Sequence, residues 1–385
     1  MIRIFLFFCA VGIANAQQAE LPQRFLERLG VAPDWMDLDP FQRTITRDEF
    51  VKELVGNYAD TEESATKFIE ILDDRARIME NTKRPGLTYD LVFAEKPLKT
   101  PPKRYWRSAQ QLPVMKDADK PLEGMRILVD PGHIGGEFAK MEARWFLIGK
   151  EGETENKPVM EGEIVLRVGE ILKEELTQLG ARVAMSRRVN APAGKLRPQD
   201  FYDYAKVAYN FPPDTDPEED INLQRAAQRL FYLSSEIRAR AKRLNEEFRP
   251  DLALCLHVNA EAWGDPADPD FVDRNHFHIL TNGCYSAGEI QKDDQRYELL
   301  RRLLQRTHSE ELAVSSTVAE HMSAAIALPA FTYKGSNAKL VGENPYVWSR
   351  NLLATRVFEC PVVFFEPYVM NNQIVHDRVQ AGEYS

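Results

Sequence analysis

Gly124-Met-Arg-Ile-Leu-Val-Asp-Pro-Gly-His133 decides how this chain is read. Met125 to Val129 is a short apolar run with β-branched residues, the pattern of a buried strand. Asp130-Pro131-Gly132 ends it, because proline fixes φ and glycine accepts conformations other residues avoid. His133 is thereby placed on a tight turn at a strand's carboxyl end, where open α/β sheets carry their sites. A single histidine there is usually just structural, so the decision rests on what else converges on it.

Two further stretches do. Asp251-Leu-Ala-Leu-Cys-Leu-His257 is a second apolar strand ending in histidine, followed by Val258-Asn259-Ala260. Between the two strands, Met160-Glu161-Gly162-Glu163 opens an amphipathic helix. Its apolar residues Ile164, Val168, Ile171, Leu172, Leu176 and Leu179 recur near helical period. An acid at a helix start also suits the helix dipole without any metal. Two histidines and a glutamate from two strand ends and a helix entrance nevertheless match the His2Glu set of an open catalytic zinc site. A third apolar strand, Cys360-Pro-Val-Val-Phe-Phe-Glu366, ends in a carboxylate.

Taken in order, these motifs resemble the zinc-dependent N-acetylmuramoyl-L-alanine amidases of bacterial cell walls, whose catalytic domains open on a DPGH motif. The resemblance runs from about Leu122 to the C-terminus. It is carried by Asp130-Pro-Gly-His133, Glu161 with Leu166, Ala181–Arg187, Arg240 to Asn245, Leu256-His257-Val-Asn259 and Phe365-Glu366-Pro-Tyr368-Val-Met-Asn371. It implies one Zn2+ held by His133, Glu161 and His257, with Glu366 as the catalytic glutamate and peptidoglycan as substrate. A protein activator is an open matter on the same grounds. Such an enzyme would open the amide between N-acetylmuramic acid and L-alanine.

The N-terminus reads as a secretory leader: basic Arg3, the apolar run Ile4 to Ile13, and Ala14-Asn15-Ala16 as a cleavage site. The run is too short to span a bilayer, and no later stretch is long enough, so the expectation is a periplasmic or secreted protein cleaved after Ala16. Cleavage leaves 369 residues with 48 basic against 59 acidic, a net charge of −11. That balance argues against nucleic acid or an anionic membrane as the main partner. Cys255, Cys284 and Cys360 remain, an odd number with two inside apolar strands. They suit core packing better than disulfides or zinc ligation.

Residues 17–121 differ in character from 122–385 and are expected to form a small α+β accessory region before the catalytic domain. Thr46 and Glu49 form a capping-box signal for a helix, Glu62 to Met79 reads as a second helix, and Tyr89 to Ala94 as a strand. Lys99 to Lys120 reads as a linker. From Gly124 onward strands (125–130, 181–186, 251–257, about 276–281, 361–366) alternate with helices (162–179, 222–247, near 288–306 and 309–327). That alternation predicts a three-layer α/β domain with a mostly parallel twisted sheet.

Departures from the family pattern leave alternatives open. The link between His133 and the helix is long, and it places Glu137 and Glu142 near the first histidine, both expected as solvated loop positions. Glu161 and Glu163 point about 200° apart on a helix, so only one can face a metal, and the resemblance, with Leu166 and Val168 aligned on the family's apolar pattern, implies Glu161. Asp130 and Asn259 are candidates to orient metal-bound imidazoles. His276 and His278 share a strand face, as a structural pair or as ligands of another metal. Arg350 could meet a substrate carboxylate or form a surface ion pair. Residues 190–222, rich in Pro and Asp, are read either as decoration with a short helix near 198–209 or as a rim on the cleft. Besides the amidase, the residues admit an exported zinc hydrolase acting on another amide, or a wall-binding protein without activity.

Overall fold

The structure, a computed structural model, describes residues 33–98, 103–114, 116–265 and 268–382. The expected leader lies outside these residues. A seven-stranded sheet forms the centre, in the order Lys339–Leu340, Val347–Ser349, Phe277–Thr281, Val362–Pro367, Leu252–Leu256, Arg126–Pro131, Arg182–Met185. Four of the six neighbouring pairs are parallel. The Phe277–Thr281 strand runs against Val362–Pro367, and Lys339–Leu340 runs against Val347–Ser349. Helices cover the sheet, giving the mostly parallel α/β architecture expected from the alternation of elements.

Three adjacent strands, 126–131, 252–256 and 362–367, run side by side in the same direction. Their carboxyl ends therefore open at one edge. All five residues of Leu252–Leu256 are buried, as a strand covered on both faces requires. Cys255 and Cys360 are wholly buried, and with Cys284 they are free thiols. The Glu161–Gln178 helix packs on this edge through Val165, Leu166 and Gly169, while Val168, Ile171 and Leu179 of the expected stripe stay substantially exposed. The stripe is rotated because its buried line follows 165, 169, 172 and 176 around the 3.6-residue turn.

The capping box at Thr46 forms as expected: Thr46 Oγ1 accepts from the Glu49 N–H, and the Thr46 N–H donates to Glu49 Oε2 at 2.9 Å. The helix expected over Glu62 to Met79 does not extend that far. It ends at Thr66, and the chain continues as antiparallel strands Ile69–Ile71 and Arg75–Met79 joined to Thr88–Val92. Alternating burial of Ala76 and Ile78 outweighs helix propensity here, because it places both residues in a core. That core is shared: Phe50, Tyr58, Ile78 and Leu91 pack with Leu299, Leu300 and Leu303 of the Asp293–Gln305 helix. Residues 103–114 are anchored rather than loose. Trp106 is buried with the Arg104 guanidinium 3.4 Å over its ring, and Arg107 and Arg126 both pair with the buried Asp251 at 2.6 and 2.7 Å.

Residues 190–222 contain the short helix Tyr202–Ala208. Phe201 and Ala205 pack with Leu223 and Phe231, and also with Ile134 in the loop after His133. The helix expected over 222–247 is interrupted by a wider turn at Phe231–Ser235. No helix among the described residues is long and apolar enough to cross a membrane.

Candidate metal centre

Asp130 to His133 leaves the sheet in a turn held from beneath by two buried arginines. Arg240 donates to Pro131 O at 2.8 Å and to His133 O at 2.7 Å, and Arg187 donates to Pro131 O and Gly132 O at 3.0 Å each. Arg187 also reaches Gly162 O, which ties the turn to the start of the helix. Glu236 at 2.7 Å and Asp130 at 3.4 Å balance the charge of Arg240. Such a buried pair is costly to break on one side only, about 3–5 kcal/mol. Asp130 thus steadies the turn through Arg240, and Asn259 accepts from the Ala260 N–H. Neither is seen bonded to an imidazole, the role anticipated for them.

His133 itself has φ +51°, the left-handed region that a non-glycine residue occupies at a cost of order 1–3 kcal/mol. The clamp of carbonyl bonds holds it there. Two glycines let the parts close. A Cβ on Gly132 would stand 2.2 Å from His257 Cε1 and 2.3 Å from Nε2, and one on Gly162 would stand 2.4 Å from Gly135 N.

The turn, the helix start and the second strand end bring His133, Glu161 and His257 together, with one ligand atom from each within 4.8 Å of the others. Glu161 Oε1 lies 3.0 Å from His257 Nδ1 and accepts the Val258 N–H at 3.0 Å. Its Oε2 lies 3.3 Å from His133 Nε2. Ligand atoms about 3.3 Å apart are what tetrahedral zinc bonds of roughly 2.1 Å require. Burial alone would raise the Glu161 pKa. His133, His257 and Arg144 outweigh it and bring the carboxyl down to about 2, so Glu161 is ionised at neutral pH. Oε2 is buried and accepts no well-aligned hydrogen bond, although Arg144 Nε is 2.9 Å away. A buried carboxylate whose two oxygens each face one imidazole, one of them accepting no hydrogen bond, fits a divalent cation. Glu163 is turned aside, accepting from Asn190 Nδ2 at 3.3 Å.

Glu142 departs from its expected solvated position. It is buried, accepts the Ile134 N–H at 2.9 Å, and stands 3.5 Å from His133 Nδ1. Burial works against its charge, but His133 and the Ile134 N–H hold its pKa below the usual value. A carboxylate behind Nδ1 leaves Nε2 free to face a metal, the support that metal-bound histidines ordinarily have. Glu137 is exposed. The sequence reading placed Glu142 near His133, nine positions on, but in solvent, and it missed Arg144.

Glu366 ends the strand beside His257. The His257 N–H donates to Phe365 O at 3.0 Å, and the Phe364 ring stacks on the His257 imidazole at 4.1 Å. Glu366 Oε2 is buried without a hydrogen-bond partner. Burial pushes the Glu366 carboxyl up to about 7, assisted by the Glu161 charge and opposed by His257, Arg144 and Arg350. Next along the sheet, His278 pairs across strands with Glu366 and meets Tyr333 Oη at 2.9 Å, while His276 meets Glu261 at 3.2 Å. The two rings are therefore held by protein partners, 6.4 Å apart. Arg350 lies over the Tyr333 ring at 5.7 Å and forms no ion pair with a carboxylate among the described residues.

No family model matches the chain, and no curated protein matches its sequence. Solved structures similar to it include three N-acetylmuramoyl-L-alanine amidases. Ami1 from Mycobacterium abscessus is 17% identical, with 68% of this chain and 96% of that one covered and a TM-score of 0.34. AmiC2 of Nostoc punctiforme is 13% identical over 68% and 89%, with a TM-score of 0.35. The catalytic domain of CwlV from Bacillus (Paenibacillus) polymyxa var. colistinus is 12% identical over 68% and 94%, with a TM-score of 0.31. Likeness this distant leaves the chemistry to be read from this chain's own side chains.

Proposed function

We propose that the chain is a zinc-dependent amidase that hydrolyses the bond between N-acetylmuramic acid and L-alanine in peptidoglycan. The observation that carries this reading is the convergence of His133, Glu161 and His257 on one point, with a buried carboxylate oxygen in the set that accepts no hydrogen bond and Glu366 at the adjoining strand end. A divalent ion there would supply a Lewis acid and a bound water with a pKa near ~7.

The chain's own residues account for the rest. Glu142 fixes His133 with Nε2 turned toward Glu161. Val258 N–H and Arg144 hold Glu161. Glu366, with its pKa raised by burial, accepts a proton from the attacking water and returns it to the departing amine of L-alanine. Phe364, stacked on His257, and the strand pairing keep this base beside the second histidine.

In the same reading the protein is exported to the periplasm or beyond. Residues 17–121 are an accessory region, and 122–385 are the catalytic domain. The test is digestion of purified sacculi by the zinc-loaded protein, with mass spectrometry of the released peptides. Stem peptides bearing a free L-alanine amine support the proposal. Release at another amide makes the protein a different hydrolase, and binding without release makes it a wall-binding protein.

A further inference from the structure

Arg350 ends a line of mostly aromatic side chains that begins at Glu366. The registers Leu280↔Trp348, Leu280↔Phe364 and His278↔Glu366 put Trp348, Leu280, His278, Phe364 and Glu366 on one face of the sheet. Residues paired across strands have Cβ atoms about 5 Å apart, so His278 is the immediate neighbour of Glu366. Tyr333 continues the line, its hydroxyl 2.9 Å from His278 Nε2 and its ring 5.3 Å from Trp348. The Arg350 guanidinium closes it, 5.7 Å from the Tyr333 centroid. Phe331 packs beside both His276 and His278 at 4.6 and 5.0 Å. Phe331, Tyr333, Trp348 and Arg350 are half-buried over the buried His278, Leu280 and Phe364, so an aromatic strip with a cation at its far end reaches the surface.

That cation is unlike the others near the site. Arg144 pairs with Glu161, Arg240 with Glu236 and Asp130, and Arg187 is spent on carbonyls. Arg350 is half-buried, and its backbone is tied to Thr281 O at 3.0 Å, yet no carboxylate among the described residues pairs with it. His278 does not compete for the same anion. Burial, then His276 and Arg350, push its imidazole down to about 3, so it stays neutral. A planar guanidinium fixed over an aromatic ring is preorganised to take a carboxylate in two parallel hydrogen bonds. In a chain with a net charge of −10, an arginine that meets the Tyr333 hydroxyl but no carboxylate is also a local positive point for an anionic ligand.

We propose that Arg350 is a specificity-determining residue that receives a carboxylate of the leaving peptide, with Tyr333, Trp348 and Phe331 bedding that peptide alongside Glu366. This rests on the amidase reading. Extended peptide advances about 3.3–3.6 Å per residue. A carboxylate on the residue after the leaving alanine therefore lies about 7 Å or more from the scissile amide. Arg350 is near enough to Glu366 for its positive charge to act on that carboxyl, so the second carboxylate of a peptide held at Glu366 comes within its field.

The experiment compares zinc-loaded wild type, Arg350→Ala and Arg350→Lys on MurNAc-L-Ala-D-Glu and on the same compound with both glutamyl carboxyls amidated. The expected result is a wild-type preference for the anionic compound. That preference should fall about 10- to 100-fold in Arg350→Ala through KM and be partly retained in Arg350→Lys. An unchanged preference, or an equal loss of kcat on both compounds, overturns the proposal. A second arm measures calorimetric binding of the product peptide L-Ala-D-Glu and its amidated form. If wild type cleaves neither substrate, the amidase reading fails. The binding arm then decides the site alone: weaker binding of the anionic peptide to Arg350→Ala than to wild type supports it, and equal binding overturns it.

Discussion

Replacing Gly132 by alanine adds one methyl group at the place where the turn and the second histidine touch. The new Cβ would stand 2.2 Å from His257 Cε1, whereas ordinary contact begins at 3.4 Å, so the imidazole has to retreat by about 1.2 Å. It cannot do so freely, because Phe364 is stacked on it at 4.1 Å and its Nδ1 is 3.0 Å from Glu161. Overpacking of this kind costs about 1–3 kcal/mol of stability, which a domain of this size survives. A displacement near 1 Å of a group that must meet the reacting atoms costs about 10²-fold in turnover. Gly132→Ala should therefore stay folded by circular dichroism while its zinc affinity and its kcat/KM on a muramyl peptide each fall by about 10²-fold. Gly56→Ala, with no atom within 4 Å of its new Cβ, is the control and should leave both unchanged. A folded Gly132→Ala protein with wild-type zinc affinity would refute the reasoning.

Other perturbations separate the roles of the neighbouring groups. Glu142→Gln keeps the shape behind His133 Nδ1 but removes the charge, so zinc affinity by chelator competition should fall about 10- to 100-fold. Glu366→Gln should retain zinc and lose about 10²–10⁴-fold in kcat, and near-normal turnover would remove Glu366 from the chemistry. Stability should also report Asp251. Burial opposes its charge, but Arg126 and Arg107 hold the folded pKa at about 2, below the ordinary aspartate value of about 3.9. The pairing then contributes fully above pH ~4, and about 2 kcal/mol is lost as the pH falls toward 2. In urea titrations across that window, Asp251→Asn should flatten this dependence and be less stable by about 3–5 kcal/mol at pH 7, because two arginines lose their partner.

The sheet was legible because its strands are apolar runs ended by recognisable breakers. Met125 to Val129 before Asp130-Pro131-Gly132 is one, and Leu252 to Leu256 before His257 is another. The positions of His133, His257 and Glu366 follow from those ends. The helical angle said only that Glu161 and Glu163 could not both face the site, and the choice of Glu161 came from the resemblance. What the sequence concealed depends on contacts between distant segments. Glu142 reads as an acid in a polar loop until Ile134 and His133 are seen to close over it. Arg144 gives no local sign that it reaches Glu161. The Ile69–Met79 hairpin was mistaken for a helix because the core that selects the strands comes partly from Leu299 and Leu303, more than two hundred residues away.

Crystals of the zinc-loaded protein, measured on both sides of the zinc absorption edge, test the central claim most directly. The account predicts a single anomalous peak within about 2.2 Å of His133 Nε2, His257 Nδ1 and a Glu161 oxygen. A protein at full zinc occupancy whose peak lies elsewhere, with those three side chains bonded only to one another, would contradict it.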